Sequence, residues 1–491
     1  MIKNSQAGSV ILTGRQTEKN DDCACPDRAF ILTFDFADGQ ENDCACPDTL
    51  VATTSSTGAN ARFHQVRELY REQIWDGFWL VLSPYAPHGP CVLSEEAWKR
   101  LQDFALPGPL SQPVDHILVE QNLLVPFNAR SQVRLGKPET LTAWLHVTNA
   151  CNLDCPYCYV RKSSASMSLE TGLRAVENLF VQAQENGFST VKLKYAGGES
   201  TLQFRLIRSI HARARQLAQA TGLQLQGVVL SNGTTLRPAD ADWLLENNVR
   251  LMVSLDGVGR QHDLMRPTKD GGSSFAALSQ AVDKLLLPRG IHPFASITIS
   301  RWNVDGVAEA VRWALERELP VSLNFYRQTQ SAPGDLALEE TAIINGMLAA
   351  YAVFEEVLPT RPFLNGLLDR VQMDAHLQTC GVGMNYLVIT HEGKLAQCQM
   401  HQEQSTASIA DKDWLPVLNH GWIHNLPVDD KDECQVCLYR YRCSGGCPLE
   451  TYRASGRWNA KNPNCQIYKA LLPAALRLEG LRLLKANGYL H

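Results

Sequence analysis

The sequence predicts an α/β protein. Its centre is a partial (β/α)6 barrel of TIM-like plan, preceded by a small α+β domain and followed by a cysteine-rich C-terminal domain. Three observations carry this. Between residues 141 and 330, short apolar, β-branched runs alternate six times with longer helical patterns, as in a parallel sheet with crossover helices. Between residues 371 and 470, seven cysteines cluster. Residues 61–135 hold two strand-like runs and two helical patterns without that alternation.

The bulk properties narrow the function classes. A chain of 491 residues, 45% hydrophobic and 20% charged, has ordinary globular composition and room for several domains. Its net charge of −5, from 51 acids and 46 bases, gives no support for a dedicated nucleic-acid binder. The first apolar run, Val10-Ile-Leu12, is too short for a signal-peptide core, and no stretch reaches membrane-span length. The expectation is a cytoplasmic protein with no nucleic-acid or membrane partner. In a reducing compartment, 15 cysteines point to metals rather than to a disulfide framework.

Residues 1–60 read as a flexible segment containing a repeat: Asp22-Cys-Ala-Cys-Pro-Asp27 recurs as Asp43-Cys-Ala-Cys-Pro-Asp48. The thiols of Cys23, Cys25, Cys44 and Cys46 admit three readings: a metal site, a duplicated insert in a flexible tail, or an internal mimic of, or docking strand for, a cysteine-containing substrate. In residues 61–135, Phe78–Leu82 and Pro90–Leu93 are strand candidates. Ser94 caps a helix from Glu95 to Phe104, with Glu95 and Glu96 well placed in its first turn. Pro113 opens a second helix towards Gln121, and Asn122–Pro126 forms an apolar exit. Cys91, beside apolar neighbours, reads as buried structure.

The barrel strands are expected at Ala143–Val147, Val191–Tyr195, Leu225–Leu230, Arg250–Leu255, Pro293–Ile299 and Val321–Tyr326. Helices are expected at Leu169–Gln184, Phe204–Ala220, Ala239–Leu245, Phe275–Leu286 and Val304–Arg317. Chemistry in such sheets sits at the carboxyl ends of the strands. After the first strand comes Cys151-Asn-Leu-Asp-Cys155-Pro-Tyr-Cys158. A cubane iron–sulfur cluster normally takes four cysteines, so three leave one iron open to a non-protein ligand. A zinc knuckle would need a fourth Cys or His, and the first His after the loop is His211. After the second strand comes Gly197-Gly198-Glu199-Ser200. Paired glycines let backbone approach a ligand, and the carboxylate can pair with an ammonium. After the third comes Ser231-Asn232-Gly233-Thr234, a turn with polar groups. At the fourth, Ser254 can reach a ribose hydroxyl, and Arg266 can pair with a carboxylate. Residues 331–370 read as a helical linker, with Leu338–Val357 helical, and residues 471–491 as an amphipathic C-terminal helix packed on the core.

Taken together these motifs resemble a known family. CxxxCxxC with Tyr157 before the third cysteine resembles the signature of radical S-adenosylmethionine (SAM) enzymes. Gly197-Gly198-Glu199-Ser200 resembles their GGEP loop, with Ser200 in place of Pro. Ser254-Leu-Asp256-Gly257, followed by His262-Asp263, Arg266 and Ser273-Ser-Phe275, resembles the peptide- and protein-maturase branch, related to anaerobic sulfatase maturases. Cys434-x2-Cys437-x5-Cys443-x3-Cys447 with Cys465 resembles the SPASM domain. Residues 61–135 resemble, in pattern only, the winged-helix peptide-recognition module of the PqqD type.

The resemblance implies SAM and three 4Fe–4S clusters. Cys151, Cys155 and Cys158 would hold the cluster that binds SAM, with Tyr157, Gly197, Gly198, Glu199, Asn232, Ser254 and Arg266 around the cofactor. Cys434, Cys437, Cys443 and Cys465 would hold one auxiliary cluster. Cys380, Cys398 and Cys447 would hold the other, since Gly381–Tyr386 supplies no eighth cysteine. Reductive cleavage of SAM would give a 5′-deoxyadenosyl radical that modifies a precursor peptide by cross-linking or oxidation. The electron would come from a donor such as flavodoxin or ferredoxin. Sulfatase maturases carry an Asp base after the second SPASM cysteine. Here that position is Gln399, which argues against formylglycine formation. A non-enzymatic iron–sulfur electron carrier would use the same cysteines but has no use for the Gly-Gly-Glu loop, Ser254 and Arg266.

Overall fold

The computed structural model describes residues 9–13, 30–36, 61–328, 334–337, 339–405 and 407–490. The cysteines of the Asp-Cys-Ala-Cys-Pro-Asp repeat lie outside them. In chain order the first strands are β1 (Ile11–Thr13), β2 (Phe30–Phe36), β3 (Phe63–Gln65), β4 (Tyr70–Trp75), β5 (Phe78–Leu82) and β6 (Cys91–Ser94). They are followed by α1 (Glu95–Asp103), α2 (Pro113–Glu120), β7 (Leu124–Pro126) and β8 (Ala129–Leu135). An antiparallel sheet forms in the order β1-β6-β5-β4. The run Ile11–Thr13, expected within a flexible segment, is instead the edge strand β1, because Leu12 finds an apolar place in the main core beside Val92. β2 is likewise a strand within that segment and pairs antiparallel with β8. Ser94 caps α1 by accepting the amide of Ala97 at 3.4 Å. The stretch expected as an apolar exit is β7, which pairs with β3.

The barrel comprises β9 (Thr140–Thr148), α3 (Leu169–Glu185), β10 (Thr190–Gly197), α4 (Phe204–Thr221), β11 (Gln224–Ser231), α5 (Pro238–Glu246), β12 (Val249–Ser254), α6 (Arg260–Met265), α7 (Ser274–Gln280), β13 (Phe294–Ile299), α8 (Val307–Leu315) and β14 (Val321–Phe325). Neighbouring strands are parallel and adjacent in chain order, so Tyr195 of β10 stands between Leu145 of β9 and Val229 of β11. The helix expected over Phe275–Leu286 starts as α7 and changes to π winding at Ala281–Leu286.

The remaining elements are α9 (Glu340–Val357), α10 (Leu364–Leu367), β15 (Tyr386–Ile389), β16 (Lys394–Ala396), β17 (Ala407–Ser408), α11 (Leu415–Asn419), α12 (Arg440–Cys443), α13 (Pro448–Ser455) and α14 (Cys465–Ala486). β15 joins the free side of β9 in parallel, and β16 and β17 extend the sheet antiparallel, giving nine strands rather than six. α14 departs from the amphipathic expectation because it is enclosed on most sides. A Cβ added at Gly480 would meet Ile74 and Leu80 of the N-terminal sheet, and Glu479 and Arg482 form a buried ion pair at 2.5 Å. Arg442, fully buried, donates to the carbonyl oxygens of Met373 and Ala86, tying the N-terminal region to the cysteine-rich one. Among the described residues no helix is long and apolar enough to cross a membrane.

Candidate functional site at the barrel mouth and its neighbours

The loops after β9, β10, β11 and β12 meet at the carboxyl ends of the strands. After β10, the Gly198 amide donates to Thr148 O at 2.7 Å and the Glu199 amide to Ala150 O at 2.8 Å. A Cβ at Gly197 would lie 2.4 Å from Thr148 O, and one at Gly198 would lie 2.4 Å from Ala150 O. These glycines press the loop against the backbone that leads into Cys151. Their small size is therefore needed for packing one loop on another.

Glu199 is buried and its carboxylate is held from several sides. Oε1 accepts from the Thr201 amide, the Thr201 hydroxyl and the Ser231 hydroxyl, and Oε2 accepts from the Asn232 amide at 2.7 Å. Burial pushes its pKa up, and these bonds pull it back. Asn232 in turn donates from Nδ2 to Asn152 Oδ1 at 2.9 Å, with Cys151 Sγ at 4.0 Å. Asn152 reaches Thr234 as well. The cysteine loop is thus bound to the ends of β10 and β11. Its other flank is fastened to β12: Tyr157 donates its hydroxyl to Asp256 Oδ2, Arg266 Nε donates to the same oxygen at 2.7 Å, and the Thr298 amide donates to Oδ1. The Arg266 guanidinium lies 5.5 Å from the Tyr157 ring centroid. So Arg266, expected near the cofactor and able to pair with a carboxylate, donates Nε to the carboxylate of Asp256. Ser254 ends β12, half-buried.

Residues 145–325 match the family model described as the Radical SAM superfamily. The barrel is a radical SAM domain. An uncharacterized protein of Archaeoglobus fulgidus is 23% identical over 350 residues, covering 68% of this chain and 81% of that protein. The antilisterial bacteriocin subtilosin biosynthesis protein AlbA of Bacillus subtilis is 24% identical over 348 residues, covering 66% of this chain and 70% of AlbA. Among solved structures, native anSMEcpe with bound AdoMet superposes with a TM-score of 0.58 at 19% identity, covering 70% of this chain and 99% of that one.

In the radical SAM domain, burial raises the thiol pKa of Cys151 and pushes that of Cys155 up to about 11, and the charge of Cys158 adds to both. The sequence left the C-terminal cysteines as two sets, and the structure brings together the members of each. Cys434, Cys437, Cys443 and Cys465 line one recess, whose empty volume, open mouth included, is about 470 Å3. Burial pushes Cys443 up to about 12, with Cys437, Cys434 and Cys465 contributing. Cys398 is pushed up to about 12 by burial and by its neighbours Cys447 and Cys380. Among the described residues no three His, Cys, Asp or Glu side chains converge as a single metal ion requires. A recess walled by four sulfurs suits a larger group, with thiolates that burial alone disfavours. Burial, then Cys158 and Cys398, push the Tyr159 phenol up, so one ring is flanked by the barrel set and the Cys380/Cys398/Cys447 set.

Three residues that work in this arrangement escaped the sequence reading as site residues. Asp256 was visible only as an acid in a turn-like Leu-Asp-Gly. Asn152 lies inside the cysteine motif and carries no signal of its own. Lys431 lies buried under the turn between Cys443 and Cys447. Cys91 packs in β6 and donates to Val81 O at 3.7 Å, apart from these sets.

Proposed function

We propose that the chain is a radical SAM maturase that modifies a ribosomally made peptide, with a SAM-binding 4Fe–4S cluster on Cys151, Cys155 and Cys158. Two auxiliary clusters complete the proposal, one on Cys434, Cys437, Cys443 and Cys465, the other on Cys380, Cys398 and Cys447. The observation that carries it is the gathering of ten cysteines into three sets, of which the barrel set has three thiols and a polar, closely bonded surround. When bound, the cluster and SAM would supply a carbon-centred radical able to remove an unactivated hydrogen. The residues of this chain do the placing. Glu199 Oε2, with a single protein donor among its bonds, would hold the amino group of the cofactor, while Asn232 fixes the Cys151 end of the loop and Asp256 fixes the Tyr157 end. Loops pressed together at Gly197 and Gly198 hold the cysteine loop against the end of β10.

Peptide modification is supported by AlbA, whose name assigns it to bacteriocin biosynthesis. It is supported also by Gln399, a neutral amide that accepts the Tyr386 hydroxyl at 2.8 Å where a formylglycine-forming enzyme would carry a base. The strands β4–β6 with the α1–α2 unit of residues 61–135 serve in this proposal as the peptide-recognition element, and a flavodoxin- or ferredoxin-type donor supplies the electron. The test is anaerobic reconstitution with iron and sulfide, followed by SAM and dithionite. The expected product is 5′-deoxyadenosine, and a candidate precursor peptide then loses paired hydrogens by mass spectrometry. A reduced, iron-loaded protein that leaves SAM intact overturns the proposal in favour of an electron carrier. Cleavage of SAM without any change in peptide mass overturns the substrate assignment alone.

A further inference from the structure

Lys431 is 1% exposed, although a lysine is among the residues least often found inside a protein. Its Nζ donates to Ser444 O at 2.7 Å. Its side chain runs against Gly445, where an added Cβ would lie 2.5 Å from Lys431 Cδ and 2.9 Å from Nζ. Ser444, Gly445 and Gly446 form the turn between Cys443 and Cys447, and all three take positive φ, at 45°, 75° and 69°. Cys443 belongs to one cysteine set and Cys447 to the other. The ammonium is therefore packed beneath the short link between the two sets. Burial pulls the Lys431 pKa down, and the sulfurs that oppose this and favour the charged form come from both sets: Cys434 and Cys443 on one side, Cys380 and Cys447 on the other. Thr379, next to Cys380, donates to Ser444 O at 3.0 Å and Gly446 O at 2.7 Å, fastening the same turn from the opposite side.

We propose that Lys431 is a shared electrostatic positioning residue that raises the reduction potentials of both auxiliary clusters together. The inference rests on the function proposed above. Reduction adds one negative charge to a cluster, and a fixed cation in a low-dielectric interior favours the reduced form. One cation between two clusters lifts both, so that either can accept the electron a substrate radical gives up.

The experiment is a potentiometric titration of the reconstituted full-length protein, followed by electron paramagnetic resonance, for the native chain, Lys431→Met, Lys431→Gln and Lys431→Arg. Lys431→Met removes the charge. Lys431→Gln removes it while keeping a donor for Ser444 O. Both are expected to move both auxiliary couples to more negative potential, by at least about tenfold in the reduction equilibrium, or about 59 mV for a one-electron couple. Lys431→Arg is expected to stay near the native values, and the barrel cluster is expected not to move in any variant. Unchanged potentials, or a shift in only one auxiliary couple, overturn the proposal. So does loss of iron from both neutral variants with full iron in Lys431→Arg, since the cation would then be holding the clusters rather than tuning them. Failure of the underlying function reads differently: the native chain would bind about four irons instead of about twelve.

Discussion

At the scale of single residues, Asp256 bears the most connections in the barrel mouth. Its side chain takes a phenol, a guanidinium and a backbone amide, each from a different segment. Asp256→Asn keeps the shape and removes the charge, leaving Arg266 buried without its counter-ion. Breaking one partner of a buried pair costs roughly 3–5 kcal/mol. Tyr157→Phe removes only one hydrogen bond to a charged group, about 1.5–3 kcal/mol. Denaturant unfolding of the two variants is expected to rank them in that order, and equal losses would mean that the Arg266 charge is satisfied elsewhere. Gly198→Ala belongs at this scale as well. Its methyl would sit 2.4 Å from Ala150 O and 2.7 Å from Asn149 O, so the loop must lift off the Cys151 backbone. The expected outcome is a chain that folds but takes up less iron at the barrel set, read as a lower iron-to-protein ratio than native.

At the scale of elements, α14 shows how context overrides pattern. Leu471–Tyr489 reads as a leucine-rich stripe with interspersed charges, yet Glu479 and Arg482 face inward and satisfy each other. Arg482→Ala would leave a buried carboxylate and destabilise by roughly 3–5 kcal/mol, while Glu479→Met with Arg482→Met is expected near neutral. A double variant as damaged as the single one would show that the pair holds α14 in a way apolar packing does not replace. The barrel elements were legible because each carries its own period, two for strands and 3.6 for helices, repeated over many residues. β15, β16 and β17 were not legible. They are two to four residues long, and the pairing of β15 with β9, on which β16 and β17 build, joins segments far apart in the chain. The site divides in the same way. Cysteine spacing is written locally, so the metal-ligand candidates could be named from the sequence. The glycines of the second loop could be picked out and read as a ligand approach, but their packing on Thr148 and Ala150 could not, because that backbone belongs to another strand end. Lys431 could not be found at all, since its four sulfur neighbours come from separate stretches.

At the scale of the whole molecule, buried histidines spread over distant regions make stability depend on pH. His146 lies in β9, His211 in α4, His262 in α6 and His376 in the cysteine-rich region. Burial, the largest cause for each, brings all four down to about 4. In the unfolded chain they titrate near 6.5. Between about pH 6.5 and 4 these four rings bind more protons in the unfolded chain than in the folded one, and the stability they contribute falls as pH falls through that window. Each ring contributes at most roughly 3 kcal/mol to the loss. Carboxylates such as Asp283, held below its ordinary range by Arg317, keep their contribution until the pH falls below about 4, whereas Glu199, Asp429 and Glu450, raised by burial, act against the histidines, so the test is made on one ring at a time. His211 gives the cleanest test, because it is 2% exposed, its Nδ1 meets the Tyr195 hydroxyl at 3.0 Å, and it lies in a barrel helix outside the cysteine sets. His211→Gln is expected to be less stable than native at pH 7.5, where the neutral ring packs well, and to close that gap as the pH is lowered to 5, where the native chain loses stability and the variant loses less. Urea midpoints at both pH values measure this, and a gap that stays constant would show that the His211 ring is protonated in the folded chain.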